Sequence, residues 1–536
     1  MDSLPLVGDR ISYSGHLGTV KFIGEVEKTT GIWLGIEWDN PDRGKHDGVK
    51  DGKRYFSCRV PNAGSFVRPS AQVIRGVSFL QALKAKYIEH PHGSASEEKV
   101  ILGSSNGVIE VKAVNLDKIR SKFANLGRLR EVSLENELVS RVDESGLIRE
   151  TCPNVRGLDL SANLFSTWCV VADIAVELPV LQRLALNRNR FTEMTFDSSK
   201  MSTSFQSLTE LQLNGSLISW REMQQVTSFM PRLVSVELGS NRLYELEFSA
   251  PIITHSQIRN INLEGNKCKV WTRICQSLST YDQLERVILA FNEIDSIPPP
   301  AHNSPLLKKL EHISLSSNNL KSWNDLDALS IWCPSLTSLS VIGNPLVESG
   351  DEIRYSRPFI IARLPALCTL DSTTVSAKER TDSELFYLSY ISQRFSLHEP
   401  GFEMASLMRE HPRWEALSKK HGTALSKSGI SSPQDRLSRK LIGMQNECLT
   451  VSKTHTLARE IGEWIDPITV RVLPTMSLKV FGHKVHKALE IDKDSKTSFW
   501  LKMNDGTWAE LSDNFHDLDW LGLETGSKVL CCVTTA

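Results

Sequence analysis

Apolar residues along the middle of the chain recur in the pattern L-x-x-L-x-L-x-x-N-x-L. It first appears at Leu129-Val132-Leu134 and returns at Val155-Leu158-Leu160-Asn163-Phe165 and Leu181-Leu184-Leu186-Asn189-Phe191. Further copies begin at Leu208, Leu233, Ile258, Leu284, Leu310 and Leu336, so nine copies start 25 to 27 residues apart. That period predicts leucine-rich repeats, each a short strand with its apolar side chains turned inward, a turn and a convex return. A single repeat cannot bury its apolar edge alone, so the copies are expected to stack into a curved solenoid. Seven of the nine carry the Asn, with Glu137 and Ser216 in its place in the others. Its amide is suited to satisfying backbone groups where each coil turns.

The leucines are core, so any function of the solenoid is expected on the concave strand face, at the residues that flank them. Along that face Arg183, Glu210, Glu237, Glu264, Arg286, Ile288 and Ile342 are the candidate contact residues. The first six repeats are polar with an acidic excess, and the last three are small, polar or apolar. No carboxylate pair or His-carboxylate set recurs as a catalytic constellation requires, so a protein-binding face is the better reading. Leu364 to Asp371 reads as a closing half-repeat, and Ser376 as the cap of a helix over about 377–393.

The hydrophobic pattern changes at both ends. Residues 1–80 are rich in glycine and aromatics, with short alternating runs at Gly18-Thr19-Val20-Lys21-Phe22-Ile23-Gly24 and Gly31-Ile32-Trp33-Leu34-Gly35-Ile36-Glu37-Trp38. Gly44-Lys45-His46-Asp47-Gly48, Arg54-Tyr55-Phe56-Ser57-Cys58 and Gly64-Ser65-Phe66-Val67 follow, and together they predict a small all-β barrel. Residues 81–120 read as a linker, 121–375 as the repeats with their cap, and 376–465 as a helical or irregular connector. From 466 to 536 a strand, a helix over 477–489 and further strands predict an α+β end domain.

Composition narrows the function. Of 536 residues 62 are Lys or Arg and 63 Asp or Glu, a net charge of −1 that argues against nucleic acid as a partner. No run of 18 apolar residues marks a membrane span, and the N-terminus lacks a signal peptide's apolar core. Ten cysteines without a CxxC pair read as reduced thiols rather than a zinc site. GxxxxGK[ST], GxSxG and HExxH are all missing, so neither an enzyme, nor a metal, nor a cofactor is expected.

The N-terminal spacing, G-x-V-x-F-x-G, G-x-W-x-G-I, GKHDG, R-Y-F-x-C and G-x-F-V, resembles a CAP-Gly domain. Members of that family bind the acidic-aromatic C-terminal tail of α-tubulin and similar Glu-Glu-Tyr or Glu-Glu-Phe ends. His46 stands where the usual signature, GKNDG, has Asn. Gly44 and Gly48 are read as letting backbone N–H groups approach the ligand, and Lys45 as the charge for its carboxylate. His46 and Asp47 complete the motif, and Phe22, Trp33, Trp38 and Phe56 are candidates to line a slot for the terminal ring.

The C-terminal pattern resembles a ubiquitin-like domain, with a generic α+β domain as the alternative. The order CAP-Gly, leucine-rich repeats, ubiquitin-like domain resembles the tubulin-folding cofactor E family of tubulin-specific chaperones. The resemblance implies a cytoplasmic, cytoskeleton-associated protein that captures α-tubulin and works with cofactors B, C and D around β-tubulin. The implied outcomes are assembly and dissociation of the αβ heterodimer, with the end domain positioning the client or recruiting the proteasome. A scaffold that only reads tubulin tails and a ubiquitin-pathway client adaptor are the competing classes.

Overall fold

The computed structural model describes residues 4–70, 72–89, 100–104, 107–111, 125–191, 197–247, 257–348, 355–394, 404–421, 447–454, 468–472, 476–489, 491, 496–502, 508–511, 518, 521, 523 and 527–534. They fall into two compact units, Met1–Ser418 and Lys419–Ala536.

The first unit opens with a five-stranded antiparallel sheet. Its spatial order is Gly64–Val67, Ile32–Trp38, His16–Glu25, Arg10–Tyr13 and Val73–Ile74. Alternation along these strands places Ile11, Val20, Leu34, Ile36 and Trp38 in one small core. Trp38 is 2% exposed within that core, so it is part of the packing and not of a slot for a terminal ring.

The repeats form a parallel sheet of nine short strands, Glu131–Ser133 through Ser338–Ser340, which Thr369–Leu370 and Thr373–Thr374 extend at the far end. The register advances by one repeat per strand, Val132 against Leu158 and Leu158 against Leu184. The asparagines make the expected ladder. Asn241 Nδ2 donates to the Leu213 and Leu238 carbonyls at 2.9 Å, and its Oδ1 accepts from the Ile218 N–H. The residue preceding the ladder position has positive φ in all nine repeats, from Asn136 to Gly343. Convex helices such as Trp220–Thr227 and Trp271–Leu278 open on fully buried tryptophans.

Two stretches differ from the sequence reading. Within 81–120 the expected linker carries structure: a helix spans Phe79–Lys84, and Val100–Ser104 pairs with Gly107–Val111. Phe79, Leu80 and Leu83 join the solenoid core, covering apolar surface that the first repeat would otherwise leave open. The far end is closed by more than a half-repeat. Helices Ser356–Arg363, Ala377–Arg394, Met404–Glu410 and Trp414–His421 share a second core of Phe359, Tyr387, Ile391, Leu407 and Trp414. The described residues of the expected connector up to 421 are therefore packed cap. Residues 90–99, 105–106 and 112–120 of the linker, and 395–403, 422–446 and 455–465 of the connector, lie outside the described residues.

The all-β module is seated on the solenoid. Arg10, its side chain fully buried, forks onto Asp39 at 2.6 and 2.5 Å and reaches the Asn163 carbonyl at 3.4 Å. Arg59 donates to the Phe191 carbonyl at 2.8 Å, and Arg190 lies 3.9 Å from Asp39. Val77–Ser78 pairs in parallel with Val139–Arg141, tying the connection to the first repeats.

In the second unit the spatial order is Ile468–Val472, Glu447–Thr454, Lys528–Thr534, Lys496–Lys502, Trp508–Leu511. The Glu447–Thr454 and Lys528–Thr534 pair is parallel and the others antiparallel. Helix Leu478–Ala488 buries Leu478, Phe481 and Val485 against this sheet's core. The sheet thus begins ahead of residue 466, with Glu447–Thr454 between Ile468–Val472 and the central strand Lys528–Thr534.

Candidate functional site: an aromatic groove and a concave face

On the all-β module the rings of Phe22, His46, Tyr55, Phe56 and Phe66 converge. Phe66 is the hub, with ring centroids 5.5 Å from Tyr55, 5.4 Å from Phe56, 5.0 Å from His46 and 6.1 Å from Phe22. Phe22, Tyr55 and Phe66 are half-buried, while Phe56 is buried and forms the floor. Tyr55 and Phe66 were not picked out by sequence, although both lie in the quoted motifs. Alternation alone does not say which face of a strand lines a groove.

The glycines explain why the rings can gather. A Cβ on Gly35 would meet Phe56 Cε1 at 2.5 Å and Phe22 Cβ at 2.9 Å. Gly48, at φ +79°, would meet the Phe56 carbonyl oxygen at 2.1 Å, and Gly44 the Asn62 oxygen at 1.9 Å. Gly44 and Gly48 therefore serve close contact between two stretches of this chain, and their N–H groups, read from sequence as open to a ligand, donate instead to the Pro41 carbonyl at 2.9 Å and to His46 Nδ1 at 3.0 Å.

The motif between them is pinned to the neighbouring strand. The Lys45 and His46 N–H groups donate to the Gly64 carbonyl at 2.7 and 3.1 Å, and Gly64 N–H returns to the His46 carbonyl at 2.8 Å. His46 Nδ1 accepts from Gly48 N–H at 3.0 Å, which leaves Nε2 to carry the proton of the neutral ring. Partial burial lowers the His46 pKa from its ordinary value against the opposing pull of Asp47. Asp47 takes an ion pair from Arg54 at 2.9 Å and an N–H from Cys58 at 3.1 Å, and these, the Arg54 bond foremost, hold its carboxyl below the usual range. Asp47 thus braces the turn. Lys45 is exposed, and among the described residues its ammonium has no partner.

Trp33 stands apart from the ring cluster. Its Nε1 donates to Thr29 Oγ1 at 2.8 Å, and Arg68 and Lys50 lie 3.8 and 5.7 Å from its ring. Cationic groups therefore border the module's aromatic surface on that side.

The concave face has two parts. At the N-terminal end the charges are matched internally: Arg183 pairs with Glu131, Arg188 with Glu135, Glu210 accepts from Gln212 at 2.7 Å, and Glu237 from Asn262 at 2.6 Å. Further along, Glu264 and Arg286 are exposed with no side-chain partner among the described residues, Ile288 is half-buried and Ile342 exposed. Phe291, 59% exposed with φ +54°, was missed by the sequence reading. It occupies the position before the ladder Asn, where Gly265 and Ser317 stand in the adjoining repeats.

The sheet, its glycine-framed motif and the repeats define a CAP-Gly module carried on a leucine-rich-repeat solenoid, and the CAP-Gly domain family matches residues 7–72. The chain is 33% identical to tubulin-specific chaperone E of Bos taurus over 78% of this chain and 79% of that one. It is 30% identical to the Danio rerio protein of the same name over 98% of both chains. Tubulin-folding cofactor E of Arabidopsis thaliana is 27% identical, over 98% of this chain and 97% of that one. This chain belongs to the tubulin-specific chaperone E family.

Proposed function

We propose that this protein is a tubulin-folding chaperone that holds α-tubulin by its acidic-aromatic C-terminal tail in the groove of the CAP-Gly module. The observation that carries the reading is the cluster of Phe22, His46, Tyr55, Phe56 and Phe66 beside the unpaired ammonium of Lys45. A terminal aromatic ring has apolar faces to pack against, and a terminal carboxylate has a free cation within the same motif. The concave stretch around Arg286, Ile288, Phe291 and Ile342 is the second contact, engaging the folded body of the client. Two joined contacts raise effective concentration, so individually weak sites hold one client firmly.

In this reading the protein acts with cofactors B, C and D around β-tubulin in assembly and dissociation of the αβ heterodimer. It works in the cytoplasm, at the cytoskeleton, and catalyses no reaction. Neither the half-buried Cys58 nor the buried Cys152 offers a reactive thiolate, since desolvation pushes both up to about 12. Strand order and the parallel central pair support reading the C-terminal unit as ubiquitin-like, a module to position the client or recruit the proteasome.

The test is incubation with native tubulin, with and without the last α-tubulin residue, followed by native gel. Tail-dependent capture with loss of the heterodimer is expected; binding to intact dimer or polymer alone would point to a scaffold instead. Lys45→Ala should weaken binding of a Glu-Glu-Tyr peptide about tenfold or more, the loss of one charge-assisted bond, with the melting temperature unchanged. Unchanged affinity would remove the tail anchor.

A further inference from the structure

A cleft of about 290 Å³ lies where the CAP-Gly module meets the solenoid. Its charged lining is His16, Asp39 and three arginines, Arg43 from the module and Arg188 and Arg190 from the third repeat. Asp39 is the one carboxylate of that lining, and it is already forked by Arg10, a further cation behind it. The Arg43 guanidinium lies 4.4 Å over the Trp38 ring, with no acceptor for it among the described residues, and its Nε is buried without a partner. Arg190 donates to the Asn189 carbonyl at 3.2 Å and to that of Gly215. Arg188 is exposed and, among the described residues, shared only with the exposed Glu135, a pair that water and salt weaken.

Position in the chain joins this cleft to the groove. Arg43 is two residues from Lys45, a span of at most about 7 Å of chain. A peptide whose terminal carboxylate is held at Lys45 therefore needs only two or three preceding residues to come level with Arg43. We propose that the cleft between the two modules binds the glutamate-rich segment that precedes the client's terminal aromatic residue, with Arg43, Arg188 and Arg190 pairing its carboxylates. The inference rests on the tail reading above, but it assigns a separate site. The groove takes the end of the peptide, and the cleft takes its acidic approach. Specificity for an acidic tail then comes from both modules rather than from the CAP-Gly module alone.

The test is fluorescence anisotropy on the full chain at low salt with three labelled peptides. One is Glu-Glu-Tyr alone, one is ten residues with glutamates upstream of it, and one has glutamines at those upstream positions. The glutamate peptide should bind about tenfold tighter than the glutamine peptide, and the advantage should shrink steeply with added salt. In the Arg43→Gln, Arg188→Gln protein the advantage should fall below about twofold, while Glu-Glu-Tyr, whose ring and terminal carboxylate stay in the groove and which offers Arg43 only its own two glutamates, should weaken by no more than about threefold. Arg188→Gln alone, at an exposed position, carries the test should Arg43→Gln unfold the module. Glu135→Gln, which frees Arg188, should increase the advantage. Equal binding of the two long peptides, or an advantage that survives both arginine changes, would overturn the cleft, as would equal competition by an RNA oligonucleotide. Glu-Glu-Tyr failing to bind while the arginine-dependent advantage persists would leave the cleft standing and remove the groove reading.

Discussion

Gly48 and Gly52 both sit at positive φ, +79° and +81°, within one hairpin region, yet their surroundings differ. A Cβ at Gly48 would strike the Phe56 carbonyl, whereas one at Gly52 meets nothing within 4 Å. Gly52→Ala is expected to cost about 1 kcal/mol, the left-handed backbone alone, and Gly48→Ala at least about 2–3 kcal/mol with loss of the groove floor. Urea denaturation of the two variants measures the difference. His46 gives a pH signature. Its folded-state pKa lies below the unfolded value of about 6.5, so as pH falls through that value the unfolded chain takes the proton first and stability is lost. Protonated Nδ1 also ceases to accept from Gly48 N–H. Melting temperature should therefore fall more between pH 7.5 and 5.5 in the parent than in His46→Asn, whose amide oxygen can take over the same acceptor role without titrating. The identity of this motif was legible in the sequence, but the work of its members was not. Gly44, Gly48 and Asp47 act on their own chain, and nothing in their spacing separates a residue that touches a ligand from one that lets two strands meet.

Among elements, the repeat was the most legible part, because a strict period of 25 to 27 residues leaves one way to bury the leucines. The asparagine ladder is the checkable detail. Asn241→Ala strips acceptors and donors at once from Leu213, Leu238 and Ile218, all inside the coil, and should cost about 2–4 kcal/mol in chemical denaturation. Loss of under about 1 kcal/mol would mean that water satisfies those groups. What the period could not reveal is how the ends are closed. Phe79 and Leu80 read as the end of the all-β module and Leu83 as linker because a six-residue helix has no repeat to betray it, and the cap core of Phe359, Tyr387, Leu407 and Trp414 assembles from four separate helices. The strand Glu447–Thr454 was likewise hidden, since its partners lie downstream and alternation over so short a run is ambiguous. Phe291 escaped for a different reason. It stands at a position defined by backbone, before the ladder Asn, and only its left-handed φ and its exposure mark it.

At the scale of the first unit, the seating of the CAP-Gly module depends on a few buried charges. Asp39 answers both Arg10 and Arg190 at the junction, so Asp39→Ala leaves cations desolvated without a counterion and should cost about 3–5 kcal/mol. Hydrogen exchange would show the loss as deprotection around Val77–Ser78 and the first repeats; exchange confined to the CAP-Gly strands would mean that the junction is held by something else. Arg190, which meets Asp39 of the module, also bonds to the Gly215 carbonyl next to Ser216, one of the two breaks in the asparagine ladder. No single-chain pattern announces such a coincidence, because Arg10, Asp39 and Arg190 are each ordinary surface residues until the two modules are brought together.

Arg10, fixed between the two modules, makes the junction behave less like a tether than like the body of a caliper. On the proposed function one jaw is the aromatic groove, the other is the concave face, and the gap between them is set by the protein itself. The slack needed to engage both would then come from the client. Its flexible tail would become a length that is measured, and tails too short to bridge the gap would be refused whatever their terminal residue.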